Sequence, residues 1–298
     1  MHEGVRNLRA LVESFRPPGP LSLDDERASA ENIPQVLPPD VTLTTVEADG
    51  VSGEWLAVDG ETPTGTLLVI HGGGYRVGSA RSHRGLAGAL TRACGARTLS
   101  INYRLAPEHP CPAAIDDAVA AYRWLLAEGT PPESVVVVGD SAGGGLALAL
   151  LLALRADGDP LPAGAVLLAP WVDLTLSGDS VESRREEDFL LTESSLREMA
   201  DQYRGERQAD DPLVSPLFAD LTGLPPLLIQ TGDHDLLRDD SIRLGERAAA
   251  CGVAVETEIW PDMPHVFQVF FALLPEGQQG VERIGAWVRT RVASNAGI

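Results

Sequence analysis

The chain reads as an α/β fold, a mostly parallel central sheet with helices packed on both faces. Three observations carry that reading. From about Val41 onward, short apolar runs bounded by turn residues alternate with stretches of helical periodicity. The runs are almost continuous in Val, Ile and Leu, which suits strands covered on both faces. A chain of 298 residues, 44% of them hydrophobic, is also long enough to bury one large core.

The elements follow in order. The first forty residues are helix-like but are broken by Pro17-Pro18-Gly19-Pro20 and Pro38-Pro39. Residues 41–47 and 53–58 are expected to open the sheet as a pair of strands. Five apolar runs come next, at 67–70, 98–103, 135–138, 165–168 and 227–230, with 255–260 as the last strand. Between them, 113–127 places Ile115, Val119, Tyr122, Leu125 and Leu126 on one helical face, with Pro112 at its start. Residues 142–155 are apolar almost all round and are predicted to form the most buried helix. Residues 239–250 and 281–292 are amphipathic. Between Trp171 and Leu224 no strand pattern occurs. That interval holds a charged helical stretch over 183–205, with Thr192, Glu193 and Ser195 as its N-cap region. An excursion of this length is uncommon unless it is functional. The expected organisation is therefore a core built from residues 41–172 and 223–298. Residues 1–40 and the insertion 173–222 form a cap over the strand ends, with the charges of 182–187 on its solvated face.

Composition narrows the function. Acidic residues number 43 against 23 basic, a formal charge of −20. Such a chain is repelled by phosphate backbones and anionic headgroups, which argues against nucleic acid or a membrane as partner. The opening stretch has no apolar segment of signal-peptide type, so a cytoplasmic protein is expected. The longest apolar run, 146–154, ends at Arg155 and falls short of the ~20 residues that span a bilayer. Three widely spaced cysteines, Cys94, Cys111 and Cys251, make neither a disulfide framework nor a zinc site and are expected to be buried thiols. The sequence contains no lysine, which excludes Schiff-base and P-loop lysine chemistry.

Two motifs carry chemistry. Gly139-Asp140-Ser141-Ala142-Gly143 follows the valine run and opens the apolar helix. This is G-x-S-x-G in strand–turn–helix context, where a tight turn holds the serine in a strained pose at a helix N-terminus. His71-Gly72-Gly73-Gly74-Tyr75 directly follows the 67–70 strand. Consecutive glycines leave backbone N–H groups free to point into a cavity, as a developing oxyanion requires.

HGGGY, the segment YRLAPEHPCPAAIDD (103–117), GDSAGGGLA and DPLVSPL (211–217) occur in this order. Together they resemble the hormone-sensitive-lipase family of bacterial carboxylesterases, over roughly residues 40 to 275. The resemblance implies an α/β-hydrolase fold with a helical cap, no cofactor or metal, and hydrolysis of small carboxylic esters. It also implies that homodimers are common.

Ser141 is then the nucleophile, and its partners must follow it in the order acid, then histidine. Of the six histidines only His234 and His265 lie beyond it, and only His265 leaves room for an acid on a separate loop. The family writes Asp-Pro-Leu after the 227–230 strand. Asp235 is the matching position, although Leu236 stands where proline is frequent, a change expected to loosen the loop slightly. Asp233 is the runner-up, and Asp239 and Asp240 are expected to cap the next helix. The oxyanion is assigned to the backbone N–H groups of Gly73, Gly74 and Ala142, the family pattern favouring the second and third glycines. His71 and His109 are expected to brace loops, Asp140 to support the elbow, and Arg104, Glu108 and Asp117 to form a buried ionic network. The alternatives are lactone or carbamate hydrolysis on the same fold, and a non-catalytic ligand receptor.

Overall fold

The strands are β1 (Val41–Ala48), β2 (Val51–Val58), β3 (Thr66–Ile70), β4 (Arg97–Ile101), β5 (Val135–Asp140), β6 (Gly164–Leu168), β7 (Leu227–Gly232) and β8 (Val255–Trp260). In this computed structural model, which describes residues 2–17 and 19–295, they form one sheet in the order β1-β2-β4-β3-β5-β6-β7-β8. β1 and β2 make an antiparallel hairpin, β2 runs antiparallel to β4, and every later pairing is parallel. Each expected strand is present, with its ends displaced by at most two residues. β2 begins at Val51 because Val51 and Ser52 still pair with Ala48 and Glu47 across the hairpin turn. β4 stops at Ile101, beyond which Tyr103 leaves the sheet and donates its hydroxyl to the His71 carbonyl at 2.9 Å.

The helices are α1 (Glu3–Ser14), α2 (Leu23–Glu31), α3 (Arg84–Cys94), α4 (Ala113–Ala127), α5 (Ala142–Asp157), α6 (Ser180–Ser183), α7 (Glu193–Arg204), α8 (Arg238–Ala250) and α9 (Pro275–Asn295). Every residue of β3, β5, β6 and β7 is buried, which accounts for their unbroken apolar runs. Alternate side chains serve two cores. Val135 and Val137 face a cluster shared with α4, α5 and α8, while Val136 and Val138 face one shared with α3 and α9. α5 is buried at Ala142–Leu151 apart from its last turn, as its composition predicted.

Two departures from the sequence reading have physical causes. α3 was not anticipated, because Gly85 and Gly88 depress its helix propensity. Gly88 suits the crossing: a Cβ would lie 2.6 Å from Leu37 Cδ1 and 2.9 Å from the Pro38 ring, so with glycine the 35–38 segment passes close over the helix without displacing either. The charged stretch 183–205 is not one helix. α6 ends at Ser183, and the chain then turns until Thr192 caps α7 in a capping box with Ser195.

Helices from the first forty residues and from the 173–222 interval meet each other and the loop after β8. Val5 and Leu8 of α1 pack with Phe189, Met263, Phe267 and Leu274. α2 and α7 are joined by Arg76, whose guanidinium meets Glu26 at 2.8 Å and Glu198 at 2.6 Å. Cys94 and Cys111 are buried, whereas Cys251, at the end of α8, is half-buried. Among the described residues no helix is long and apolar enough to cross a membrane.

Candidate active site

The parallel strands all end on the same side, and every candidate residue leaves from those ends. His71–Gly74 follows β3, Ser141 follows β5, Asp235 follows β7 and His265 follows β8. The chain passes from β3 outward to β4 and then crosses back to β5. A crevice therefore opens between β3 and β5, the switch point where such sheets bind ligands. Ile70 is in register with Gly139, so the glycine loop and the serine turn start level with each other.

Ser141 has φ 52° and ψ −121°, a conformation that costs a non-glycine residue about 1–3 kcal/mol. The surroundings hold it there. Its N–H donates to the Leu168 carbonyl at 2.8 Å, and its own carbonyl accepts from Gly144, Gly145 and Trp171. A Cβ on Gly143 would collide with the carbonyl of Ile70, so only glycine lets the turn sit this close to β3.

Asp140 ties the two loops together. Its Oδ1 accepts the Gly72 N–H at 3.1 Å, and its Oδ2 lies 3.5 Å from His83 Nε2. Burial pushes the His83 ring down, but the Asp140 carboxylate outweighs it and raises its pKa. His71 is fully buried, and burial pushes its pKa down to about 3. The ring is thus neutral, stacks on Tyr103 at 4.2 Å, and donates from Nδ1 to the Gly72 carbonyl at 2.7 Å. The Gly72 N–H is spent on Asp140, while Gly73 (φ 107°) and Gly74 (φ 62°) carry the loop on in the left-handed backbone region. Met199 of α7 lies over Gly74.

His265 and Asp235 are both buried, and His265 Nδ1 lies 2.9 Å from Asp235 Oδ2. Asp235 also accepts from the Leu237 N–H at 2.8 Å and from Thr231 Oγ1 at 3.3 Å. Burial pushes the His265 pKa down, but the carboxylates of Asp235, Asp188 and Asp140 together raise it above the ordinary histidine value. Asp233 is engaged elsewhere, with Arg238 at 2.9 Å and Arg184 at 3.2 Å. Asp239 and Asp240 do not cap α8. Their carboxylates reach outward, Asp239 to the Ser180 N–H and Asp240 to those of Val172 and Asp173, so they anchor the insertion.

Other expectations are corrected. Arg104 binds Asp117 at 2.8 Å but is itself half exposed. Glu108 joins Arg27 of α2 instead, because residues 107–110 are exposed. His109 is exposed. The charges of 182–187 are mostly solvated as expected, but Arg184 and Glu187 are half-buried, Arg184 reaching Asp233. The next residue was missed. Asp188 is buried, with Oδ1 accepting from Leu190 and Leu191 and Oδ2 from the Leu236 N–H at 3.0 Å. A carboxylate that ends a run of exposed charge carries no sequence signal of burial. Among the described residues no group of three or more His, Cys, Asp or Glu side chains is placed to hold a metal ion.

Chemically, the arrangement offers a hydroxyl at a helix N-terminus, a buried imidazole oriented by a carboxylate, and a glycine loop level with the serine turn. Comparison with known proteins shows the family. A family profile described as the alpha/beta hydrolase fold matches residues 67–269. An acetyl-hydrolase of Streptomyces hygroscopicus is 50% identical over 225 residues, 76% of this chain and 75% of that protein. An esterase of Acinetobacter venetianus is 36% identical over 92% of each chain. Among solved structures, an esterase/lipase from an uncultured bacterium superposes with a TM-score of 0.94 at 41% identity, covering 98% of this chain and 100% of that one. An esterase of the bacterial hormone-sensitive lipase family gives 0.94 at 41% identity over 98% and 99%.

Proposed function

This chain belongs to the hormone-sensitive-lipase family of α/β-hydrolase carboxylesterases, and from that premise we propose that it hydrolyses short-to-medium acyl esters through Ser141, His265 and Asp235. It is a carboxylic ester hydrolase. The observation that carries the residue assignment is the 2.9 Å contact between His265 Nδ1 and Asp235 Oδ2, buried at the same strand ends as the strained Ser141.

In this mechanism Ser141 Oγ attacks the ester carbonyl while His265 Nε2 takes its proton. Asp235 holds the proton on Nδ1 and stabilises the imidazolium that forms. The N–H groups of Gly73, Gly74 and Ala142 receive the oxyanion, a service worth roughly 3–4 kcal/mol per donor. His265 then protonates the leaving alcohol, and a water repeats the sequence on the acyl-enzyme. Residues 1–40 and 173–222 act as a cap. The support for this is the docking of α7 on the glycine loop, where Tyr203 stacks on Tyr75 at 3.6 Å and Met199 covers Gly74.

The test is Ser141→Ala, assayed on p-nitrophenyl esters. Alanine adds no volume to the turn, so the fold is kept and hydrolysis is expected to vanish. More than a trace of turnover by the folded variant would remove Ser141 from its role. Ester binding without turnover in the unaltered chain would favour the receptor reading.

A further inference from the structure

We infer that Asp188 is a positioning residue for the base: through the Leu236 amide it fastens the turn between α6 and α7 to the acid loop and sets a second carboxylate beside the Asp235–His265 pair. The inference rests on the reading of His265 as the base.

The geometry is a pair of carboxylates on consecutive amides. Asp188 takes the Leu236 N–H at 3.0 Å and Asp235 takes the Leu237 N–H at 2.8 Å. The two acids therefore share one short stretch of backbone, and neither moves without the other. Asp188 is itself fixed from behind by the N–H groups of Leu190 and Leu191. Three amide donors favour its ionised form. Burial first, and then the Asp235 charge, act the other way and raise its pKa, while His265 lowers it.

Leu236 explains why this chain has the contact. The Arg238 N–H closes a turn on the Asp235 carbonyl at 3.1 Å, which puts Leu236 at the turn position where proline is favoured. Proline has no N–H. With leucine in that place the backbone gains a donor, and Asp188 occupies it. The substitution that suggested a looser loop is thus part of a tie between the cap and the acid.

The charged groups facing His265 are Asp235 from the loop after β7, Asp188 from the turn after α6, and Asp140 from the end of β5, the last held by His83. Each favours the imidazolium. Removing the Asp188 charge lowers the affinity of His265 for its proton, so the base stays neutral to lower pH.

The experiment is the pH profile of kcat/KM on p-nitrophenyl butyrate with the full chain, whose acid limb reports the base in the free enzyme. For Asp188→Asn the limb is expected to move to lower pH by about half a unit. Loss of positioning is expected to lower kcat ~10-fold at little change in KM. Leu236→Pro keeps the carboxylate and the turn but deletes the amide. The unsatisfied acid then protonates more readily, and the limb moves the same way by less. A purely structural role would lower kcat or thermal stability and leave the limb in place. An unmoved limb in folded Asp188→Asn overturns the inference; should that variant not fold, an unmoved limb in Leu236→Pro does so. Ser141→Ala separates the two levels. If it is inactive while the limb is unmoved, only the role of Asp188 falls; if it is active, the reading of the site falls first.

Discussion

Only His234 separates Asp233 from Asp235, yet their carboxylates meet opposite environments. Asp233 neutralises two arginines at the rim, and Asp235 is fully buried against His265. Asp235→Asn is therefore expected to cost on the order of 10⁴-fold in kcat, the loss seen when a serine hydrolase is left with the wrong histidine tautomer. Asp233→Asn loses one partly exposed ion-pair partner and is expected to keep activity within about tenfold. Steady-state rates of both purified variants decide it, and a crippled Asp233 variant would move the acid by two residues. The raised pKa of His265 fixes the sign of the pH response. The base is neutral only above its own pKa, so kcat/KM is expected to fall as pH drops through a value above the ordinary histidine 6.5. At this scale the candidate site was largely legible, because G-x-S-x-G and HGGG state local backbone requirements and the chain order restricts the histidine. Asp188 was not. Its burial depends on Leu236, 48 residues away, and nothing in its own neighbourhood announces that contact.

Among elements, α7 shows which contacts hold the cap down. Tyr203 is 1% exposed and stacked on Tyr75, while Arg76 joins Glu26 and Glu198, carboxylates that are 35% and 58% exposed. Water screens the carboxylate ends of these pairs although the Arg76 side chain is 8% exposed, so Arg76→Ala is expected to cost about 1–2 kcal/mol, part of it lost packing of the arginine stem. Tyr203→Ala empties a ring-sized space between cap and glycine loop and is expected to cost about 3–5 kcal/mol. Denaturant midpoints of the two variants check the order; an equal or larger loss for Arg76→Ala would mean that charge, not packing, seats α7. Element identity followed from periodicity wherever packing and local preference agree, as in α4, whose ends match the expectation residue for residue. It failed at α3, where glycines that suit the crossing 35–38 segment mask the helix. It also failed over 184–192, where charged residues with good helix propensity turn so that Asp188 and Phe189 can face inward.

For the whole molecule, the charge of −20 and the proposed cap act in the same direction. The acidic surface has no attraction for anionic interfaces, and a roofed crevice admits dissolved monomers in preference to a lipid phase. Each added methylene gains up to ~0.8 kcal/mol by burial until the acyl site is full. The optimum is therefore expected at short-to-medium acyl chains and not at acetate, with rates following dissolved substrate through its solubility limit. A jump in rate beyond that limit, or preference for long-chain triglycerides, in a panel of p-nitrophenyl and glyceride esters would contradict it. The seating of α1 has a consequence for how the protein is made. Val5 and Leu8 are synthesised more than 180 residues before their partners Phe189, Met263, Phe267 and Leu274. At roughly 5–20 residues per second the nascent chain carries that apolar face uncovered for tens of seconds. The glycine loop and the serine turn are synthesised long before His265, so ester turnover waits until the chain beyond β8 has been made and α1 has found its cover.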